Sequence, residues 1–476
     1  MKIVILGAGQ VGASVAESLV SEENDITIVD TDPARLVQLQ DRLDLRTVVG
    51  NAAHPSTLAT AGLEDADMLI AVTQSDQTNL VACKLAHCLF NVPTRIARLR
   101  ARDILENEAL LAPENFAVDY ALCPEQVITD YIVRLVEFPS ALQVLSFGED
   151  RLALVAVRAY PGGLLVGKPI RDMRRHLPPE IDARIAAIYR RDRAITPTGD
   201  TRIEDGDEVF VLAAEEHIRP VMRELRRMMR PVHRVMIAGG GNIGLRVAQA
   251  LEGNCAVKVV EGLRGRAEFI AGELKSALVL SGDATDEDLL EKEGIEEMDL
   301  FLALTNDDED NIMAASLAKR LGAKRVAALI NRRAYADLVQ GGPIDIALSP
   351  AQVSIGSLLA HVRRGDVAQV HSLRRGAAEA LEMVVHGDAN SSRVVGRRIA
   401  DLPVIQGAVI AAIVRDLDKY EEVLLDAHTF GRRRGRVVIG HKDVVIESGD
   451  HVIVFCLNKK VVKKVEKLFA VGFHFF

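Results

Sequence analysis

A dinucleotide-binding fingerprint occurs twice in this chain of 476 residues, at positions 232 apart. The first copy reads K-I-V-I-L-G-A-G-Q-V-G, with Gly7, Gly9 and Gly12 spaced as G-x-G-x-x-G around Ala8, Gln10 and Val11. The second reads R-V-M-I-A-G-G-G-N-I-G, with Gly239, Gly241 and Gly244 around Gly240, Asn242 and Ile243. The chemistry of such a loop is phosphate binding. Its first glycine permits a tight turn after a strand, its second lets a phosphate approach the backbone, and its third lets helix pack on strand. The helix that follows aims free N–H groups and the positive end of its dipole at the phosphate. A carboxylate should then meet ribose hydroxyls from the end of the second strand. Asp30 lies 18 residues past the last glycine of its copy and Glu261 lies 17 past its own. A carboxylate there repels a 2′-phosphate, which favours NAD(H) or an adenine nucleotide over NADP(H).

The register continues beyond the loops. Gly50 maps onto Gly282, Thr73 onto Thr305 and Asn79 onto Asn311, and Asn51 and Asp283 follow in the same frame. Thr73-Gln74 and Thr305-Asn306 end the fourth strand of each copy, the edge that faces the glycine loop across a doubly wound sheet. Charge separates the copies. Arg98 and Arg100 stand at the end of the fifth strand of the first copy, where they could pair with phosphates. Aligning Arg95-Ile96-Ala97 with Arg325-Val326-Ala327 sets Ala328 opposite Arg98 and Ile330 opposite Arg100. The second site then lacks these cations unless Arg332 or Arg333 replaces them, so it should bind phosphate more weakly or prefer a different ligand state.

The elements that position these residues are legible as alternating apolar runs and amphipathic stretches. In the first copy the strands predicted are Lys2–Leu6, Asp25–Asp30, Leu45–Val49, Asp67–Thr73 and Arg95–Leu99. The second repeats them at Arg234–Ala238, Val257–Glu261, Ala277–Leu280, Asp299–Thr305 and Arg325–Ile330. Strands of continuous Val, Ile and Leu separated by helices imply a parallel sheet covered on both faces. Each copy ends in a helical stretch, Pro124–Glu137 and Pro350–Val362, with an apolar stripe such as Val127, Ile128, Tyr131 and Leu135 that suits either the chain's own core or contacts between chains. Small strand-rich modules follow, with runs at Leu152–Val157, Ile185–Ile188 and Glu208–Leu212. These repeat too: Val166-Gly167 resembles Val395-Gly396, Ile185–Ile188 resembles Ile410–Ile413, and Gly206–Val209 resembles Gly449–Val452. The offset grows from 229 to 243, which places an insertion at Ala427–Arg436, with Arg432-Arg433-Arg434 read as a solvated hairpin.

The fold class expected is α/β: two Rossmann-like doubly wound sheets, each followed by a small α+β module. The boundaries expected are 1–123, a connecting helix at 124–139, a module at 140–228, then 232–349, a second connecting helix at 350–367 and a module at 368–470.

Composition narrows the function. A formal net charge of −9 argues against a nucleic-acid partner. No run approaches the roughly 18 apolar residues that span a bilayer. Met1-Lys2-Ile3 enters a strand pattern at once, leaving no room for a signal peptide, and five cysteines without framework spacing suit a reducing, cytoplasmic compartment. They read as small buried hydrophobes, with Cys83 and Cys88 fitting one helical face. There is no Walker A lysine, no metal spacing among 12 histidines, and no His/Asp or Lys/Tyr constellation. His54 and His87 read as packing or surface. A bound nucleotide without catalytic apparatus is a signal rather than a substrate, so no catalytic residue and no metal is assigned.

With these residues in view the chain resembles the TrkA family. The resemblance rests on G-A-G-Q-V-G, D-I-T-I-V-D, A-D-M-L-I-A-V-T, G-G-G-N-I-G, T-N-D-D-E-D-N-I-M, N-R-R-A-Y and R-V-V-G-R, in order along essentially the whole chain. It implies two RCK (KTN) domains in a peripheral, NAD-binding regulatory subunit of bacterial potassium uptake. It further implies a homotetrameric ring on the cytoplasmic face of the inner membrane, with ATP and ADP as alternative ligands and a TrkH-type potassium-conducting partner. Two features depart from the pattern: the insertion, and Glu125, which matches a cation-binding glutamate of related rings but faces Ala351 in the repeat. The alternatives are an NAD-dependent oxidoreductase with a duplicated cofactor domain, or the regulatory module of a potassium-efflux antiporter.

Overall fold

The computed structural model describes residues 1–20, 24–191, 193–227, 230–332, 335, 338–339, 342, 344–362, 366–373, 377–417, 420–425, 428–433 and 435–470. Six strands, β1 (Lys2–Leu6), β2 (Asp25–Asp30), β3 (Arg46–Val49), β4 (Met68–Ala71), β5 (Thr94–Arg98) and β6 (Tyr120–Leu122), form a parallel sheet in the order β3-β2-β1-β4-β5-β6. The order reverses between β1 and β4, the switch point at which such sheets bind ligands. Ile3, Ile5, Leu6, Ile26 and Ile28 are fully buried, as a strand covered on both faces requires. Residues 131–233 contain a five-stranded antiparallel sheet of β7 (Gln143–Phe147), β8 (Leu152–Arg158), β9 (Ala183–Arg190), β10 (Arg193–Ile195) and β11 (Glu208–Ala214), ordered β10-β9-β11-β8-β7.

The second half repeats both. Strands β12 (Arg234–Ala238), β13 (Ala256–Glu261), β14 (Leu278–Ser281), β15 (Leu300–Ala303), β16 (Val326–Leu329) and β17 (Ile346–Leu348) run parallel in the order β14-β13-β12-β15-β16-β17. Its antiparallel module orders β18 (Val367–Leu373), β19 (Ala378–Val384), β20 (Ala408–Arg415), β23 (Arg436–Ile439) and β24 (His451–Cys456) as β18-β19-β24-β20-β23. Between β20 and β23 the chain adds a separate hairpin, β21 (Tyr420–Leu425) with β22 (His428–Arg433). This hairpin is the insertion expected from the growing offset. Of the residues expected there, Ala427 and Arg434 lie outside the described residues.

The sixth strands β6 and β17 have no counterpart among the expected strands, because three residues show too little periodicity. In the modules the repeat holds to the backbone. Gly206 and Gly449 both adopt left-handed φ, +85° and +84°, and the aspartates after them, Asp207 and Asp450, are buried and accept from Arg190 and Arg415, Nε to Oδ1 2.8 Å in each.

The four modules regroup in space. Residues 1–130 and 234–355, the two Rossmann halves, form one compact unit, and residues 131–233 and 356–476 form another. In the latter a single core joins both antiparallel sheets, with the Phe210 and Phe455 rings 5.5 Å apart. Tyr131 packs on this core while Ile128 and Leu135 are buried. Ile128 and Leu135 of the first connecting helix therefore serve the chain's own core, while Val127 and Tyr131 are half-buried. Cys83 and Cys88 do not share a face either: Cys83 is buried, its thiol pushed up to about 12 by desolvation, and Cys88 is exposed. Five residues of helix turn through about 500°, which separates them by about 140°.

Candidate nucleotide site

Both glycine loops open into one continuous cleft of about 1860 Å³ within the Rossmann unit. The three glycines of each loop do separate work. A Cβ on Gly7 or Gly239, at φ +105° and +100°, would press on the backbone nitrogen of Thr73 or Thr305 at 3.0 Å. A Cβ on Gly12 or Gly244 would lie 1.9 Å from the carbonyl oxygen of Gly7 or Gly239, so those positions face protein and not the cleft. A Cβ on Gly9 or Gly241 would meet no protein atom within 4 Å. That open space sits at the start of the helices Gln10–Val20 and Asn242–Leu251, where a phosphate belongs. The residues present fit a bound nucleotide in both copies.

The carboxylates hold the loops in shape. Ala8 N–H donates to Asp30 Oδ2 at 2.6 Å and Asp32 N–H to Oδ1 at 2.9 Å; Gly240 N–H donates to Glu261 Oε2 at 2.7 Å and Leu263 N–H to Oε1 at 2.9 Å. A carboxylate offers about four acceptor positions, so each retains capacity for ribose hydroxyls. Thr73 N–H and Oγ both donate to Asn79 Oδ1, at 3.0 and 2.7 Å, and Asn79 Nδ2 donates to the Arg98 carbonyl at 2.8 Å. Thr305, Asn311 and the Leu329 carbonyl repeat this at 2.9, 2.8 and 2.9 Å. Each buried asparagine thus ties the ends of two neighbouring strands together at the cleft rim.

Asn51 lines the cleft with its side chain accepting from Ala53 N–H at 2.9 Å. Asp283 takes the same position, and the backbone N–H and hydroxyl of Thr285 hold its carboxyl below the usual range, so it is ionised. Gln10, Val11, Gln74, Asn242, Ile243 and Asn306 line the cleft as expected. Arg98 lines it as well and pairs with Glu125, Nη2 to Oε1 3.0 Å, both side chains largely buried. Arg100 is not brought to the cleft wall, because its guanidinium is held on the Gln74 carbonyl beside Asp76. Gly240 is also off the wall, packed where a Cβ would meet Ile270 Cδ1 at 2.4 Å.

Strand register corrects the alignment at the fifth strand. Ala71 pairs with Ala97 and Ala303 with Ala328, so Ala97 corresponds to Ala328, Arg98 to Leu329 and Arg100 to Asn331. Asp76 accepts from the N–H groups of Arg100 and Ala101, and Asp308 from those of Asn331 and Arg332, which confirms the frame. The loss of the cation stands. Arg332 does not restore it, since it pairs with Glu309 at 2.7 Å on the surface, and Arg333 lies outside the described residues. The sequence reading missed Arg35 and Arg266, which line the cleft in both copies. Each follows its carboxylate by five residues, a signal present in the sequence.

Models of the TrkA-N domain match residues 3–115 and 235–350, and a model of the TrkA-C domain matches residues 154–226. The Trk system potassium uptake protein TrkA of Halomonas elongata is 55% identical over 476 residues, covering 100% of both chains. The chain belongs to the TrkA family. Among solved structures, the GsuK RCK domain matches it with a TM-score of 0.60 at 17% identity, over 98% of this chain and 94% of that one. A GsuK channel bound to NAD matches with a TM-score of 0.59 at 17% identity, over 98% and 78%. The chain therefore has the fold of an RCK domain. Among the described residues no helix is long and apolar enough to cross a membrane.

Proposed function

We propose that this chain is the nucleotide-sensing regulatory subunit of a potassium uptake system. It binds NAD(H), ATP or ADP in its two Rossmann halves and gates a TrkH-type membrane subunit from the cytoplasmic face, as a ring of four chains. The observation that carries the reading is the single cleft lined by both glycine loops with their carboxylates. A site for one small molecule occupies roughly 300–1,000 Å³, and this cleft has room for two nucleotides. The relative matched end to end bears the name of a potassium uptake protein. Only differential affinity for two ring states can shift gating, with couplings of about 1–3 kcal/mol. The chain performs no reaction on its ligand, so NADH should bind without turnover of any carbonyl substrate. The deciding experiment is potassium flux through the co-reconstituted membrane subunit, titrated in turn with ATP, ADP and NADH. Flux indifferent to all three removes the proposal.

A further inference from the structure

Arg246 lies four residues into the phosphate-facing helix of the second copy, on the same face as Asn242 at its start. Its guanidinium leaves its own half of the unit. Nη1 donates to Gln126 Oε1 at 2.8 Å and Nη2 to the Arg100 carbonyl at 3.2 Å. Both acceptors are next to the charged pair of the first copy. Gln126 follows Glu125, and Arg100 is two residues past Arg98. The corresponding position in the first copy is Ser14, although the second copy has a glutamine, Gln352, where the first has Gln126. The latch therefore has its arginine in the second copy alone.

We propose that Arg246 is a positioning residue that makes binding at one loop depend on the occupant of the other. The proposal rests on the nucleotide reading above. A phosphate at the first loop competes with Glu125 for Arg98, and movement of Arg98 or Glu125 displaces the two acceptors that Arg246 holds. Arg246 carries that displacement into the helix whose N-terminus receives the phosphate of the second loop. The coupling is reciprocal by thermodynamic necessity.

The test uses calorimetric titration of the full chain with ADP. Gly241→Ala, which fills the phosphate space of the second loop, reports the first loop alone, Gly9→Ala the second alone, and wild type both together. The product of the wild-type constants divided by that of the isolated constants measures the coupling, expected to differ from one by about fivefold or more. In Arg246→Ser it should fall to within about twofold of one while the isolated affinities stay unchanged. Two independent loops in wild type, or undiminished coupling in Arg246→Ser, overturns the role of Arg246. Absence of ADP binding at either loop overturns the nucleotide reading itself, and is seen before any Arg246 variant is made.

Discussion

In the first Rossmann half Asn79 ties Thr73 to the Arg98 carbonyl, and in the second Asn311 ties Thr305 to the Leu329 carbonyl with the same bonds. Asp76 and Asp308 cap the strand ends alike, and a Cβ on Gly12 or Gly244 meets the carbonyl oxygen of the first glycine of its own loop at the same 1.9 Å. The charges do not match. Three arginines, Arg35, Arg42 and Arg98, and two carboxylates, Asp30 and Glu125, line the cleft from the first copy. One arginine, Arg266, and three carboxylates, Glu261, Asp283 and Asp310, line it from the second. The backbone cradle has been kept in both copies while the field inside it has diverged. The first half should therefore favour a more highly charged nucleotide and the second a less charged one.

The largest effect should test the shared cradle. Gly12→Ala forces a Cβ against the Gly7 carbonyl and should cost about 3 kcal/mol of stability, the upper end for overpacking. Gly9→Ala should leave thermal stability unchanged and abolish phosphate binding, because no protein atom lies within 4 Å of the added Cβ and a bound phosphate would. Gly244→Ala and Gly241→Ala should repeat the contrast, and a second-copy pair that behaves differently would break the equivalence of the two loops.

Asp30→Ala and Glu261→Ala should each weaken binding in its own half by about 2 kcal/mol, in the range for hydrogen bonds to a charged group. Calorimetry on folded variants showing wild-type affinity would remove the ribose assignment.

A smaller effect sharpens the charge difference. Arg98→Ala should cost ATP about 1.5 kcal/mol more than NADH, because a charge-assisted phosphate contact is lost. Leu329→Arg combined with Ala351→Glu transplants the Arg98–Glu125 pair and should move ATP preference into the second half. Equal losses for both ligands would make Arg98 a structural residue.

The smallest effect extends the comparison to the antiparallel modules. His371 in β18 pairs with Ala380 where Leu145 in β7 pairs with Leu154. It is half-buried, edge-on to the Phe147 ring, with Nε2 3.0 Å from the Ser146 carbonyl. Burial pushes its pKa below the ordinary 6.5, with Glu382 opposing and Arg134 reinforcing the shift. The unfolded chain therefore takes up a proton that the folded chain refuses as pH falls below 6.5. Stability should therefore fall as pH drops below that point. His371→Leu should flatten this acid limb in thermal melts, and an unchanged limb would assign it to other groups.

Much of this protein is legible in its amino-acid sequence alone. The duplication, the parallel sheets, the carboxylates Asp30 and Glu261 and the connecting helices follow from patterns that act within a few turns of chain. A G-x-G-x-x-G loop does its work inside six residues, so its spacing alone declares it. Tertiary structure decided what depends on distant partners. Arg98 and Arg100 look equivalent in the sequence, yet one faces the cleft and the other is held on Gln74. The correct frame of the fifth strand came from its hydrogen-bonded neighbours, because a short apolar run tolerates a one-residue slip on paper and a sheet does not. The regrouping of the four modules into two units and the reach of Arg246 to Gln126 join residues more than 100 positions apart. Such contacts are set by which surfaces bury each other, and no local pattern records that choice.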